Sequence, residues 1–338
     1  MSLENFCCNF RVLRNSSYDL NLKILYFYVI LGISIRVYIT GGNSRLAKYV
    51  LDAIPSAVPL TRKPVEGAIE SSYSYEELKY IFKDADVVIH IAGRVHGSYS
   101  ELYRSNVVLT QTIVDSLPEN ARLIYASSVS VYGKKPLERP TTESTPTNPD
   151  TPYAKTKFIA EEIALSHRNT VSLRIATLYG ENFIEYFKLF RLIEKGNAFV
   201  FGSGRNKVPF TYAADVANAV KNSIKSNPGV YLLSAPSIEQ EKALKKVAVM
   251  LGVPFKPRKL GFLRALALSK INSLLTFSSI LKEETVHSLS ADREFSYLKA
   301  KKALGFSPIH PGKGIAKMVR YYIAKYKNKD RGISNKNI

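Results

Sequence analysis

The sequence predicts an α/β protein built on an open, doubly wound parallel sheet, with a smaller mixed α/β domain toward the C-terminus. Three observations predict it. From Ile35 onward, short apolar runs rich in β-branched residues alternate with stretches of helical period. That is the pattern of strands buried on both faces and joined by helical crossovers. The first run passes directly into a loop of small residues, Thr40-Gly41-Gly42-Asn43-Ser44. Hydrophobic residues make up 46% of the 338, enough for a large core and too many for a disordered or fibrous chain.

The elements follow in order. Ile35–Thr40 (IRVYIT) reads as the first strand, and LAKYVLDAI after it has helical period. Ala57–Leu60 reads as a strand and Tyr75–Phe82 as a helix. Asp86–Ile91 (DVVIHI) is a buried strand and Ser105–Leu117 a helix. Arg122–Ala126 (RLIYA), the helix Tyr153–Ser166 and the strand Val171–Ile175 complete the series. Right-handed crossovers between such strands produce a doubly wound sheet. Pro136 to Pro152 holds five prolines and many threonines, a loop beside the strand ends. The sheet domain is assigned 35–172 plus about 208–234, and the second domain 173–207 plus 235–326. Residues 327–338 form a basic polar tail. Residues 1–34 read as an N-terminal extension, either a packing or membrane-leaning segment or an over-extension of the gene. Its apolar run, Ile24–Ile35, is 12 residues long, short of the roughly 20 a spanning helix needs.

The chain carries 48 Lys+Arg against 28 Asp+Glu, a net charge of +20. From Glu241 to Ile338 the count is 21 against 6, so three-quarters of the excess lies there. Such a balance invites an acidic partner or simply a solvated basic surface. The two cysteines, Cys7 and Cys8, are adjacent, which excludes a disulfide scaffold and a structural zinc site. The five histidines show no ligand spacing, so no metal is expected.

Gly41, Ser44 and Ala47 stand at the three small positions of a dinucleotide-binding turn. Such a turn needs a tight bend, close backbone approach to a pyrophosphate and a helix amino end aimed at it. Ser and Ala replace two of the expected glycines, although a serine hydroxyl can donate to a phosphate. Candidate cofactor contacts here are Gly41, Gly42, Asn43, Ser44, Arg45 and Leu46, with Ala92 and Gly93 at the end of DVVIHIAG. The second strand ends in Thr61-Arg62-Lys63. A carboxylate there would bind ribose hydroxyls and favour NAD. Arg62 and Lys63, with Arg45, suit a 2′-phosphate, so the reading leans to NADP over NAD. Glu70 is a candidate to end a strand and face the adenine.

Tyr153 and Lys157 form a Y-x-x-x-K pair on a helix opened by Pro152. Residues four apart share a helical face, and an ammonium beside a phenol lowers its pKa from near 10. Tyr153 is then able to exchange a proton with a hydroxyl or carbonyl. The same spacing recurs at Tyr75/Lys79, Tyr297/Lys301 and Tyr321/Lys325. Only Tyr153 follows a strand ending in a serine cluster, in which Ser128 can hold the substrate oxygen.

At this point the chain resembles the extended short-chain dehydrogenases, the NAD-dependent epimerase/dehydratase group. The resemblance runs from about Arg36 to Ile323 through VYITGGNSRLAKYV, DVVIHIAGRVH, SNVVLTQTIV, RLIYASSVSVYG, PYAKTKFIAEEI, SLRIATLYGEN, FGSGRNKVPFTYAADVANAV and KAKKALGFSPIHPGKGI. It implies a Rossmann-like fold, pyrophosphate binding at Gly41, and catalytic roles for Ser128, Tyr153 and Lys157. Lys157 would also hold the nicotinamide ribose. A homodimer through the helices Ser105–Leu117 and Tyr153–Ser166 and a cytoplasmic setting are expected. The implied reaction is hydride transfer to or from a secondary alcohol or ketone, with a nucleotide sugar as substrate. Dehydratases of the group carry Asp-Glu where Val129 and Ser130 stand, which argues against dehydration. Two diphosphate contacts of the group are missing, at Thr177 and Val208, and Arg205 and Lys207 are candidates to replace them.

The first alternative is a reductase of apolar molecules. Gly261–Leu281 is mostly apolar, with Leu263, Leu266, Ala267, Ile271, Leu274 and Leu275 on one helical stripe. It resembles the lid helices of hydroxysteroid dehydrogenases and dihydroflavonol reductases. A basic amphipathic helix can also rest on an anionic membrane. A second alternative is a dinucleotide sensor without turnover. Nucleic-acid binding is not expected, since only charge supports it.

Overall fold

The computed structural model describes residues 35–275, 286 and 289–327. The predicted extension 1–34, the tail from 328 and the end of the apolar run after Leu275 lie outside the described residues.

The chain enters through β1 (Val37–Thr40) and turns into α1 (Arg45–Ala53). Ser44 caps that helix: its Oγ accepts from the Ala47 N–H at 3.2 Å, which satisfies one of the orphan donors of the first turn. Leu46, Ala47 and Val50 form its buried face. β2 (Val58–Thr61), the short β3 (Ile69–Glu70), α2 (Tyr75–Phe82) and β4 (Val87–His90) follow. The next helix begins at Tyr99, six residues before the expected start. Ser98 and Glu101 form a capping box, in which each side chain satisfies the other's backbone N–H. The helix runs as α3 (Tyr99–Leu102), a π-helical stretch Tyr103–Val108 and α4 (Leu109–Ser116).

β5 (Arg122–Ser128) is two residues longer than predicted and passes into a 3₁₀ turn, Val129–Tyr132. After the proline-rich loop, α5 (Pro152–Ser166) starts with Pro152 in its first turn and Thr151 as cap, where a missing N–H costs nothing. β6 (Thr170–Ile175) is followed by β7 (Thr177–Tyr179), α6 (Glu185–Glu194), β8 (Phe199–Phe201), β9 (Lys207–Val208) and β10 (Phe210–Tyr212). Then come α7 (Ala213–Ser223), β11 (Gly229–Leu233), β12 (Ile238–Glu239), α8 (Gln240–Leu251) and β13 (Arg258–Leu260). The described part closes with α9 (Phe262–Leu275), α10 (Leu298–Leu304) and α11 (Pro311–Tyr322).

Seven strands make one sheet in the order β11-β6-β5-β4-β1-β2-β3. Every pairing in it is parallel. The strand order reverses between β1 and β4. In doubly wound sheets that reversal opens a crevice at the strands' carboxyl ends, where ligands bind. Leu60, Leu78, Phe82, Val88, Ile113, Leu123 and Ala160 form one core against α2, α4 and α5, while α1 packs on α7. A second core joins α6, α8 and α11 through Phe187, Phe190, Val247, Met318 and Tyr322. Three two-stranded pairs, β7 with β10, β9 with β12 and β8 with β13, connect the lobes.

Candidate active site

The crevice at the β1/β4 reversal is a cavity of about 290 Å³. Gly41, Asn43 and Ser44 line it from the first loop, Arg62 and Lys63 from the end of β2, and Ala92 and Gly93 from the end of β4. Gly41 adopts φ +70°, and a Cβ there would lie 2.8 Å from the Ala92 Cα. Only glycine satisfies both the left-handed turn and the close approach. Ser44 Oγ accepts from Ala47, so its own O–H can still donate into the crevice.

Three of the predicted cofactor contacts have other duties. Gly42 donates its N–H to the Leu60 carbonyl at 2.9 Å, and a Cβ on it would meet the Pro59 Cβ at 2.4 Å. It is a packing glycine against β2. Leu46 is buried in the core. Arg45 turns from the crevice to Glu185, with which it forms an ion pair, and lies over the Phe183 ring. Glu70 does end a strand, β3, but it is exposed and does not line the crevice.

Tyr73, which the sequence reading missed, occupies that wall. It is 7% exposed and holds φ +64°, a conformation that costs a bulky residue energy. Its hydroxyl donates to the Leu60 carbonyl at 2.8 Å and accepts from the Gly41 N–H at 3.0 Å. The Arg62 guanidinium lies over its ring at 5.4 Å, within cation–π range.

Lys157 lies against the end of β5. Its Nζ donates to Tyr125 Oη at 2.5 Å and to the Ala126 carbonyl at 2.7 Å, and sits 4.1 Å from the Tyr125 ring centre. Burial brings the Lys157 pKa down from 10.5 to about 7, with the Glu161 charge one turn further along α5 opposing the shift. Tyr153 lies one turn earlier on the same helical face and is half-buried. Tyr125 is buried, and burial above all, then the charges of Glu161 and Tyr153, raises its pKa well above the ordinary phenol value. Tyr125 therefore stays protonated. Two of the other Y-x-x-x-K pairs are direct surface contacts, Lys79 to Tyr75 at 2.7 Å and Lys325 to Tyr321 at 2.9 Å, both exposed. Ser128 ends β5, and its Oγ accepts from the Ser130 N–H at 3.1 Å, which leaves its proton able to donate.

Two buried networks hold this end of the sheet. Glu161 receives Ser127 Oγ at 3.0 Å, Ser172 Oγ at 2.8 Å and the Arg174 Nε at 3.0 Å, with both partners of the ion pair almost fully buried. Arg174 continues to Tyr132. On the other side His90 bridges Thr40 and Thr110, at 2.7 Å to Nδ1 and 2.9 Å to Nε2. Thr110 spends its O–H on the Asn106 carbonyl, so Nε2 must donate to it and Nδ1 must accept from Thr40. Burial, then the nearby Lys157 charge, lowers the His90 pKa to about 3. Asn106, in the π-helical stretch, accepts from the Arg94 N–H at 2.8 Å and donates to Thr156 Oγ1 at 3.1 Å. It ties the loop after β4 to α5.

On the second lobe, Thr177 is half-buried in β7. Arg205 is exposed, and the Lys207 ammonium is 2.9 Å from Glu294. Both partners of this surface pair are about half exposed.

A family model described as NAD dependent epimerase/dehydratase family matches residues 37–231. The chain is 27% identical over 237 residues to the dTDP-D-glucose 4,6-dehydratase of Mus musculus, covering 57% of this chain and 66% of that protein. It is 24% identical over 249 residues to the N-acetyl-α-D-glucosaminyl-diphospho-ditrans,octacis-undecaprenol 4-epimerase of Escherichia coli O157:H7, covering 68% and 74%. The matched stretches thus span two-thirds and three-quarters of these relatives, and only 52% of a third, the putative UDP-glucose 4-epimerase of Methanocaldococcus jannaschii, which is 32% identical over 162 residues, 42% of this chain. The fold matches that of the Bordetella bronchiseptica enzyme WbmH, solved with NAD+, at a TM-score of 0.69 and 17% identity, over 87% of this chain and 99% of that one. Crevice, strand order and family match agree: the chain belongs to the NAD-dependent epimerase/dehydratase family, on the Rossmann-like fold of the extended short-chain dehydrogenases.

Proposed function

We propose that this protein is an NAD(P)-dependent epimerase or reductase that acts on a secondary alcohol or ketone of a nucleotide sugar. The observation that carries the reading is the buried Lys157, on one helical face with Tyr153 and packed against the strand end that bears Ser128.

The crevice suits a dinucleotide. Gly41 allows close backbone approach, and Ser44 and the amino end of α1 offer donors to a pyrophosphate. Arg62 and Lys63, with no carboxylate at the end of β2, suit a 2′-phosphate and favour NADP, although WbmH holds NAD+. When bound, the nicotinamide supplies the hydride acceptor and donor. Tyr153 exchanges a proton with the substrate oxygen, Lys157 favours the phenolate and orients the ribose, and Ser128 donates to the same substrate oxygen. Val129 and Ser130 follow Ser128, so the chain lacks the acidic pair that would expel water, and we favour epimerisation or reduction over dehydration. Exposed Tyr99, Tyr103 and Val108 on the α3–α4 helix support a homodimer through that face.

A second reading, an apolar or lipid-borne substrate, is favoured by the exposed Leu263 and Leu268 of α9. The undecaprenol-linked sugar named for the E. coli relative carries its sugar on a diphosphate, as a nucleotide sugar does. A turnover screen of UDP- and GDP-sugars against lipid-borne sugars separates the two readings. Tyr153→Phe is expected to bind cofactor and lose turnover; an active variant would remove Tyr153 from its role.

A further inference from the structure

The basic excess of the C-terminal part is concentrated in one stretch. From Lys242 to Lys282 the sequence has nine Lys+Arg and no Asp or Glu. β13 and α9 lie within it. An amphipathic helix that covers its own domain turns its large apolar residues inward. α9 follows this rule only in part. Ala265 and Ser269 are buried, whereas Leu263 is 78% exposed and Leu268 43% exposed. Leu266 and Phe262 are half-buried, and Ala265 reaches a small cluster with Phe201 and Val286. The inward side thus carries Phe262, Ala265, Leu266 and Ser269, while Leu263 and Leu268 are left exposed on the flanks of the outward side.

The charges around these leucines are equally one-sided. Arg264 lies between them and is exposed, and exposed Lys256, Arg258 and Lys259 directly precede the helix. Exposed leucines beside exposed cations of one sign match the acyl boundary and anionic headgroups of a bilayer. Among the described residues no helix is long and apolar enough to cross a membrane, so the contact would be interfacial. The half-buried Phe262 at the start of α9 lies near the loop after β5: the Lys134 ammonium, just past the 3₁₀ turn that starts after Ser128, is 5.9 Å from its ring centre.

We propose that the α9 face, with Leu263 and Leu268 inserted and Lys256, Arg258, Lys259 and Arg264 beside them, docks on an anionic phospholipid bilayer. The proposal goes beyond the enzymatic reading and does not depend on which sugar is turned over.

The test is co-sedimentation of the full chain with vesicles of phosphatidylcholine alone and of phosphatidylcholine with phosphatidylglycerol. Binding is expected to the anionic vesicles only and to fall as salt is raised. Leu263→Ser with Leu268→Ser should weaken it by about tenfold or more, since each leucine would leave the apolar boundary. Arg258→Gln with Lys259→Gln should weaken it by a similar factor. Dinucleotide binding, measured on each variant, should stay at the wild-type level and shows that the fold is retained. Failure of the full chain to bind anionic vesicles overturns the proposal. So does a leucine variant that binds as wild type while the charge variant does not, the behaviour of a general polyanion site such as one for nucleic acid. A leucine variant that changes the oligomeric state without lipid also overturns it, because the face would then join copies of this chain.

Discussion

Two regions of the molecule solve burial in opposite ways. Around β1, β4 and β5 polar groups are taken inside and matched one by one: His90 between two threonines, Glu161 to Arg174, Lys157 to Tyr125 and a carbonyl. Around α9 two leucines are left exposed beside exposed Lys256, Arg258, Lys259 and Arg264. A satisfied buried network rigidifies and positions, which is what proton exchange requires. An exposed apolar patch beside charges of one sign marks an encounter surface. On the proposed reading, the first region holds the chemistry and the second meets the surroundings.

The sharpest way to break it is at Lys157. On the proposed mechanism, Lys157→Met keeps the volume but removes the charge that would activate the phenol, and turnover should fall by about 10²–10⁴-fold, read as kcat with cofactor saturating. Near-normal kcat would mean that the buried lysine only packs. Next in size is the ion pair behind it. Glu161→Ala leaves Arg174 buried without its carboxylate and should cost about 3–5 kcal/mol in denaturant unfolding. A loss under about 1 kcal/mol would show the network to be solvated.

Much of this end could be read from the chain alone. The strand ending in serines, the Y-x-x-x-K helix and the loop at Gly41 are local patterns whose chemistry lies in a few adjacent residues. What could not be read depends on partners far along the chain. Arg45 is taken by Glu185, Gly42 is required by Pro59, and Tyr73 reaches Gly41 through a positive φ that no local pattern signals. The early start of the α3–α4 helix at Tyr99 was readable, since Ser98 and Glu101 have capping-box spacing. The outward leucines of α9 were not, because a helical stripe does not say which side the domain lies on.

The pH dependence of stability sharpens the same contrast. His90 has its pKa lowered to about 3, so it stabilises the fold above the ordinary histidine value of 6.5 and loses that contribution as pH falls toward 3. His90→Gln should flatten this acid limb, which is worth on the order of 5 kcal/mol at most. Lys157 is lowered from 10.5 to about 7, so the unfolded chain binds the extra proton across that window and stability falls as pH drops from 10.5 to 7. Lys157→Met should remove that slope. An unchanged profile in either variant would mean that the group titrates normally in the fold.

The smallest expected effect lies at the rim of the crevice. Arg62→Gln should weaken NADP by about tenfold while leaving NAD nearly unchanged, as loss of one charge-assisted phosphate contact requires. Equal losses for both would place Arg62 on a feature the two cofactors share.

The most direct measurement is calorimetric titration of the purified chain with NADP and NAD, alongside Gly41→Val. Any side chain at Gly41 meets Ala92 and the left-handed turn. The wild type should bind at one dinucleotide per chain, and Gly41→Val should not bind while remaining folded. Wild-type chain that binds neither cofactor, or a Gly41→Val that binds as well as wild type, would contradict the placement of the cofactor in this crevice.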